Sequence, residues 1–307
     1  MQAIPRPGPN TINLLCLSAA IVAVSFAAIF IRWSEQEIDG YATTFNRLWI
    51  ATLVLGLWQA LPSRAKRPPV PAGDAAGKSG RYILLVLGGV FSAASVACWA
   101  WSLSQTHVAN ATVLRSLTPI FTSLGGWLLL GRCFDRRFLL GMAIAIGGAI
   151  LIGWDDWEVS ATHLSGDGVA LLSAAFYAGN LLIVEYLRNG LGASTILLWR
   201  CGVGSVALCP VVVYAGNPVF PSTGQGWLAV IALGTICQIL GQGLMAHTLK
   251  KLSSGFVSVF LLLEPVLAAL LAWVFFGETL DLLNFLAFFL ILLGINLALR
   301  SQSATKA

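Results

Sequence analysis

Arg115 and Glu264 are the side chains best placed to do chemistry, because each stands in the middle of a long apolar run. A guanidinium grips a carboxylate with a planar pair of donors, while a carboxyl can hold an ammonium or carry a proton. Each residue sits just ahead of a proline, Pro119 or Pro265, which removes a backbone donor and frees the carbonyl one turn back. Two arrangements are open. The pair can cancel its burial penalties as an ion pair, or Arg115 can meet a solute carboxylate while Glu264 meets an ammonium or carries a proton. Arg47 and Arg200 form a second pair, placed alike within Phe45–Trp49 and Leu198–Gly202. They are expected to pin neighbouring helices or gate their motion. A central arginine costs about 2.5–3.5 kcal/mol on insertion scales, so such groups should face the interior of a bundle. Glu185 is a less deeply placed fifth candidate.

Aromatic and amide residues could complete a pocket around these charges. Trp99 and Trp101 end one apolar run, Phe176, Tyr177 and Asn180 lie in another, and Gln238 and Gln242 in a third. A tryptophan near a helix end also serves as an interfacial anchor, and buried amides also bond between helices. His247 adjoins Lys250 and Lys251 and is a weak candidate for moving a proton. No HExxH, GxSxG, GxxxxGK[ST] or acidic metal-binding run occurs. The expectation is therefore no enzyme, no metal and no cofactor, and any transport would be secondary or facilitated.

The residues above need elements to hold them, and composition says which. Of 307 residues, 57% are hydrophobic and 10% charged, against about 25% charged in a soluble domain. Continuous apolar runs near 11–31, 41–62, 82–104, 108–130, 138–154, 167–187, 191–215, 225–248, 254–277 and 282–300 predict ten transmembrane helices. The fifth run is short. Alternation with period two, the sign of a β-barrel, is absent. Six scattered cysteines without CxxC spacing predict free thiols. The longest connection, from Pro62 to Gly80, reads as a flexible polar linker, and the first apolar run as a retained helix.

Charge orients the chain. With both termini cytoplasmic, inside segments hold Arg64, Arg81, Arg132, Arg136, Arg137, Arg188, Lys250 and Arg300, while outside loops hold Arg32 as their lone basic residue. The net charge of +5 is thus a topology signal, not a nucleic-acid site. Leu117, Pro119, Leu124, Trp127, Gly131 and Asp135 return in register as Leu263, Pro265, Leu270, Trp273, Gly277 and Asp281, and Gly148 as Gly294. Five helices per half is odd, so the second half is inverted. The turn with Arg132, Arg136 and Arg137 has lost every basic residue in its counterpart, which starts Gly277, Glu278. Inverted repeats have two near-equivalent conformations, one open to each face.

Across roughly residues 12–300 the chain resembles an EamA-type member of the drug/metabolite transporter superfamily. The resemblance rests on Ser25–Arg32, Asn46-Arg47-Leu48, Leu117 to Pro119 with Trp127 and Gly131, and most specifically Leu263-Glu264-Pro265-Val266 with Trp273, Gly277 and Glu278. It implies an all-α integral membrane protein with one five-helix repeat over 1–154 and a second over 155–307. It also implies a cavity between the halves, and hence Arg115, Glu264, Trp101, Tyr177, Asn180 and Gln242 as solute contacts, with Pro119, Pro265, Arg47 and Arg200 structural or gating. The implied function is export or exchange of a small solute, often an amino acid or related metabolite, across the cytoplasmic (inner) membrane. Expected partners are that solute and the lipid bilayer, with the chain a monomer or homodimer. The competing expectation is a non-transporting receptor or assembly subunit on the same fold. The first half carries Thr118 where Glu264 stands and Arg132 where Glu278 stands, so the site is asymmetric.

Overall fold

The computed structural model describes residues 9–61, 78–103, 105–106, 108–152, 164–277, 282–301 and 303. The linker after Leu61, the acidic stretch at Asp155, and Glu278 and Asp281 lie outside the described residues, as do His107 and His163. In chain order the helices are α1 (Pro9–Ser25), α2 (Ala27–Ser34), α3 (Gly40–Ala60), α4 (Lys78–Leu103), α5 (Val108–Arg115), α6 (Thr118–Leu130) and α7 (Arg136–Ile152). They continue as α8 (Leu164–Leu187), α9 (Ala193–Ala215) and α10 (Gly224–Ala232). A π-helical segment, Leu233–Gln242, then leads into α11 (Gly243–Thr248), α12 (Ser254–Phe260), α13 (Leu263–Phe276) and α14 (Leu282–Leu299).

Joined end to end, these make 8 helices long and apolar enough to cross a membrane. Two more helices fall short for visible reasons. Helix α3 carries Asn46, Arg47 and Gln59, and α7 has only 17 residues. The described cysteines are all free thiols.

The recurring Pro, Gly and Asp frame is punctuation. Pro119 opens α6 in its first turn, where a missing N–H costs nothing. The carbonyl it frees belongs to Arg115 and accepts from Thr118 Oγ1 at 2.6 Å. In the second half the Glu264 N–H donates to the Leu261 carbonyl at 2.9 Å. There the backbone closes its own break, so Glu264 is spared the capping task that its counterpart Thr118 performs. Gly131 and Gly277 end α6 and α13 at φ 61° and 67°, a left-handed turn that favours glycine. Asp135 then starts α7 by accepting from the Phe138 N–H at 3.1 Å.

Small residues set the closest helix contact. A Cβ on Gly294 of α14 would lie 2.5 Å from the Gly141 carbonyl oxygen of α7, and one on Gly148 would lie 2.9 Å from the Ala287 oxygen. Backbones thus meet where side chains would hold them apart. The main core, with Leu17, Ile21, Phe138, Leu181, Phe256 and Ile291, gathers residues of α1, α7, α8, α12 and α14.

Hydrogen bonds tie the ends of the helices. At the Arg-rich end, Arg132 forms an ion pair with Glu185, whose other oxygen accepts from the Ser254 N–H at 2.8 Å. Beside it Asp135 accepts from Ser301, and the Ser303 carbonyl accepts from Ser253 at 2.8 Å. Burial opposes the Asp135 carboxylate, but the Ser301 hydroxyl, the Phe138 amide and the Ser303 hydroxyl together hold its pKa below the usual range. At the opposite end Glu37 accepts from the Thr223 hydroxyl and amide and from the Ser222 amide and hydroxyl. Those bonds, led by the Thr223 hydroxyl, lower its pKa to about 2.

Candidate functional site

Helices α4 and α8 run antiparallel and mesh through a ladder of specific pairs. Phe91 stacks edge-on against Phe176 at 5.3 Å, and Ser95 donates to the Ser173 carbonyl at 3.0 Å. Residues four apart share a helix face, so Phe91 and Ser95 bring Trp99 round to the same side. There Arg115, the last residue of α5, lies over the Trp99 ring at 5.3 Å and the Tyr177 ring at 5.2 Å. Its Nη1 donates to Ser173 Oγ at 3.0 Å. The guanidinium thus contacts two aromatic rings, an interaction worth about 2 kcal/mol where desolvated, with one terminal nitrogen fixed by Ser173.

Glu264 lies close enough to Arg115, Arg47 and Tyr177 to share their field. It makes no ion pair with Arg115 within the 4.0 Å that defines one. The direct pair is thus not what neutralises Arg115 in this conformation. Arg115, Tyr177 and Glu264 keep part of their surface accessible although protein surrounds them, so they border interior space rather than lipid.

The repeat-related arginines rest on two amides one turn apart. Arg47 Nε donates to Gln238 Oε1 at 2.7 Å, and Arg200 Nη2 to Gln242 Oε1 at 3.0 Å. Both glutamines belong to the π-helical segment, a geometry common at functional sites. Gln238 in turn contacts the Cys201 thiol at 3.2 Å, and Gln242 also reaches the Tyr177 hydroxyl. Helix α9 separates its faces cleanly. Arg200, Cys201 and Gly204 point inward, while Trp199 and Val206 are exposed. An open apolar groove of about 580 Å³ beside Thr52, Trp199 and Gly202 lies on that outer face, away from the charges.

The structure therefore brings together Arg115, Tyr177, Glu264, Gln242, Arg47 and Arg200. Two further sequence candidates lie on α4 and α8. Trp101 is 40% exposed, on a different face of α4 from Trp99. Asn180 is 0% exposed and packs toward Gly88 between α4 and α8. The sequence offered Trp99 and Trp101 together, and it is Trp99 that meets Arg115; Ser173 carried no signal in the sequence. Pro119 and Pro265 lie beside the helix breaks, and the Pro119 carbonyl accepts from Thr122 Oγ1 at 3.1 Å.

The EamA-like transporter family matches residues 11–154 and 164–300. The chain is 27% identical over 307 residues to the uncharacterized transporter YxxF of Bacillus subtilis, covering 97% of this chain and 94% of that one. It is 26% identical over 274 residues to the pseudopaline exporter CntI of Pseudomonas aeruginosa, covering 87% and 89%. Human solute carrier family 35 member G1 is 25% identical over 212 residues, covering 66% of this chain and 58% of that one. One solved crystal structure superposes with a TM-score of 0.77 at 18% identity over 94% of this chain and 96% of the other, a likeness of fold.

Proposed function

The chain belongs to the EamA-like transporter family, and from that premise we propose that it carries a small organic solute, an amino acid or related metabolite, outward across the cytoplasmic membrane by alternating access. The observation that carries this reading is Arg115, held between Trp99 and Tyr177 with part of its surface accessible in the interior. A cation so placed is costly unless something meets it, and a solute carboxylate is the natural partner. Glu264, close by but unpaired, offers a counter-charge for an ammonium or a proton.

The architecture we propose is ten crossings in two inverted repeats, with both termini cytoplasmic. Neighbour relations support it. Counterparts α3 and α9 pack together, as do α7 and α14. The contact of α4 with α8 recurs as that of the α10–α11 helix with α1, and α6 with α8 recurs as α13 with α1. One relation does not recur. Helix α12 is buried throughout and packs on α6, whereas its counterpart α5 packs on α4 and α8. In our reading the asymmetry is the conformation itself: closed at the Arg132–Glu185 end, toward the cytoplasm, and accessible from the other side.

The test is counterflow in proteoliposomes with pooled radiolabelled amino acids, run with and without a pH gradient. Uptake should occur in the native protein and be lost in Arg115→Ala that still inserts and elutes normally. Normal flux in that variant would sink the site assignment. A response to the gradient would separate coupled from facilitated movement.

A further inference from the structure

We infer that the solute carries at least two negative charges, as two carboxylates or one phosphate monoester, read by Arg115 together with Arg47 and Arg200; this rests on the transport reading and narrows it.

Charge balance and geometry carry the inference. Arg47 lies within electrostatic reach of both Arg115 and Arg200, so the three guanidiniums form one cluster and not three isolated anchors. Among the described residues, Glu264 is the carboxylate that shares this field. An arginine does not give up its proton in a protein, so the cluster holds a surplus of two positive charges with Glu264 ionised, and three with it protonated. The partners these arginines do have are neutral: Ser173, Gln238 and Gln242. Neutral acceptors position a guanidinium without cancelling its charge.

Two features mark the cluster as built to receive rather than merely to brace. Arg200 is 5% exposed, yet its Nε has no hydrogen-bond partner. A buried donor left open in this way calls for an acceptor, and a bound anion would supply one. The amides holding Arg47 and Arg200 are four residues apart on one helical segment, so two forks from opposite repeats are presented side by side. Within reach of Arg47, Arg115 presents a third over the Trp99 and Tyr177 rings. A monocarboxylate leaves part of this surplus unmet; a zwitterion adds no net negative charge. A dianion neutralises it.

The experiment is calorimetric titration of the full chain in nanodiscs with succinate, citrate, inorganic phosphate, butyrate and 4-aminobutyrate at fixed ionic strength. Succinate, citrate or phosphate should bind at least about tenfold tighter than butyrate or 4-aminobutyrate, and whichever wins separates the carboxylate source from the phosphate source. In Arg200→Gln, and independently in Arg47→Gln, that preference should shrink about tenfold, with Arg200→Lys keeping more of it. Unchanged elution and melting temperature would show that the variants fold. Butyrate or 4-aminobutyrate binding as tightly as the dianions, no dianion binding at all, or a preference untouched in both folded variants would each overturn the inference. Counterflow with the preferred dianion keeps the two ideas apart. Binding without flux sinks transport alone, whereas flux of zwitterions with no preference for dianions sinks this inference alone.

Discussion

Trp99 and Trp101 stand two positions apart on α4 but present different faces. Two residues apart on an α-helix, they point about 200° away from each other, so one at most can face the charges. The ladder formed by Phe91 and Ser95 decides for Trp99. Trp99→Ala should weaken solute affinity by roughly 2- to 30-fold, the span of about 0.5–2 kcal/mol for a cation–π contact, with Trp101→Ala close to native. The apparent KM in counterflow reads this, and equal effects would remove Trp99 from the site. The charged members of the cluster were legible in the sequence because an arginine in an apolar run has few other reasons to be there. The choice between the tryptophans was not, since it depends on which face of α4 meets α8. The surroundings of Asn180 were not legible for the converse reason: an amide deep in a helix looks the same whether it faces a cavity or a neighbouring helix.

Elements follow from the sequence wherever a residue type has a single physical use. Gly131 and Gly277 could be matched from sequence, and both end helices in left-handed turns. Glycines inside helices are harder, because those that pack and those that merely occur look alike. Gly147 and Gly148 are adjacent, yet a Cβ on Gly147 meets nothing within 4 Å while Gly148 abuts α14. Gly294→Ala should therefore push α7 and α14 apart and destabilise the protein by about 1–3 kcal/mol. Gly147→Ala should be neutral or mildly stabilising, since alanine favours helix by about 1 kcal/mol over glycine. Melting of the detergent-solubilised variants checks both, and an equal response would mean that the α7–α14 contact is not set by backbone approach. The π-helical segment left no mark in composition; it is known only from the bonds it makes.

At the scale of the whole molecule, two halves of like sequence are tied differently at their ends. Near Arg132, Glu185 pairs with Arg132 and accepts from the Ser254 N–H at the start of α12, and the Ser303 carbonyl accepts from Ser253. Glu185→Gln would leave Arg132 without its counter-charge. Removing one partner of a mostly buried pair costs a few kcal/mol, so amide hydrogen exchange over Ser254–Phe260 should rise at least about tenfold. Unchanged exchange would show that α12 does not depend on the pair. The sequence indicated a break in symmetry here, in the basic turn with no basic counterpart. It could not indicate that Arg132 would meet Glu185, because that depends on how distant helices pack and not on the local sequence.

The π-helical segment has a consequence for how such a site changes over generations. A π turn holds more residues than an α turn. Deleting one residue between Gln238 and Gln242 would remove the widened turn and change the angle between the two glutamines. The rests of Arg47 and Arg200 would then shift relative to each other without any polar residue having been replaced. Specificity in this chain can be rewritten by length as readily as by chemistry, and comparisons that score only which residues are present would miss the change.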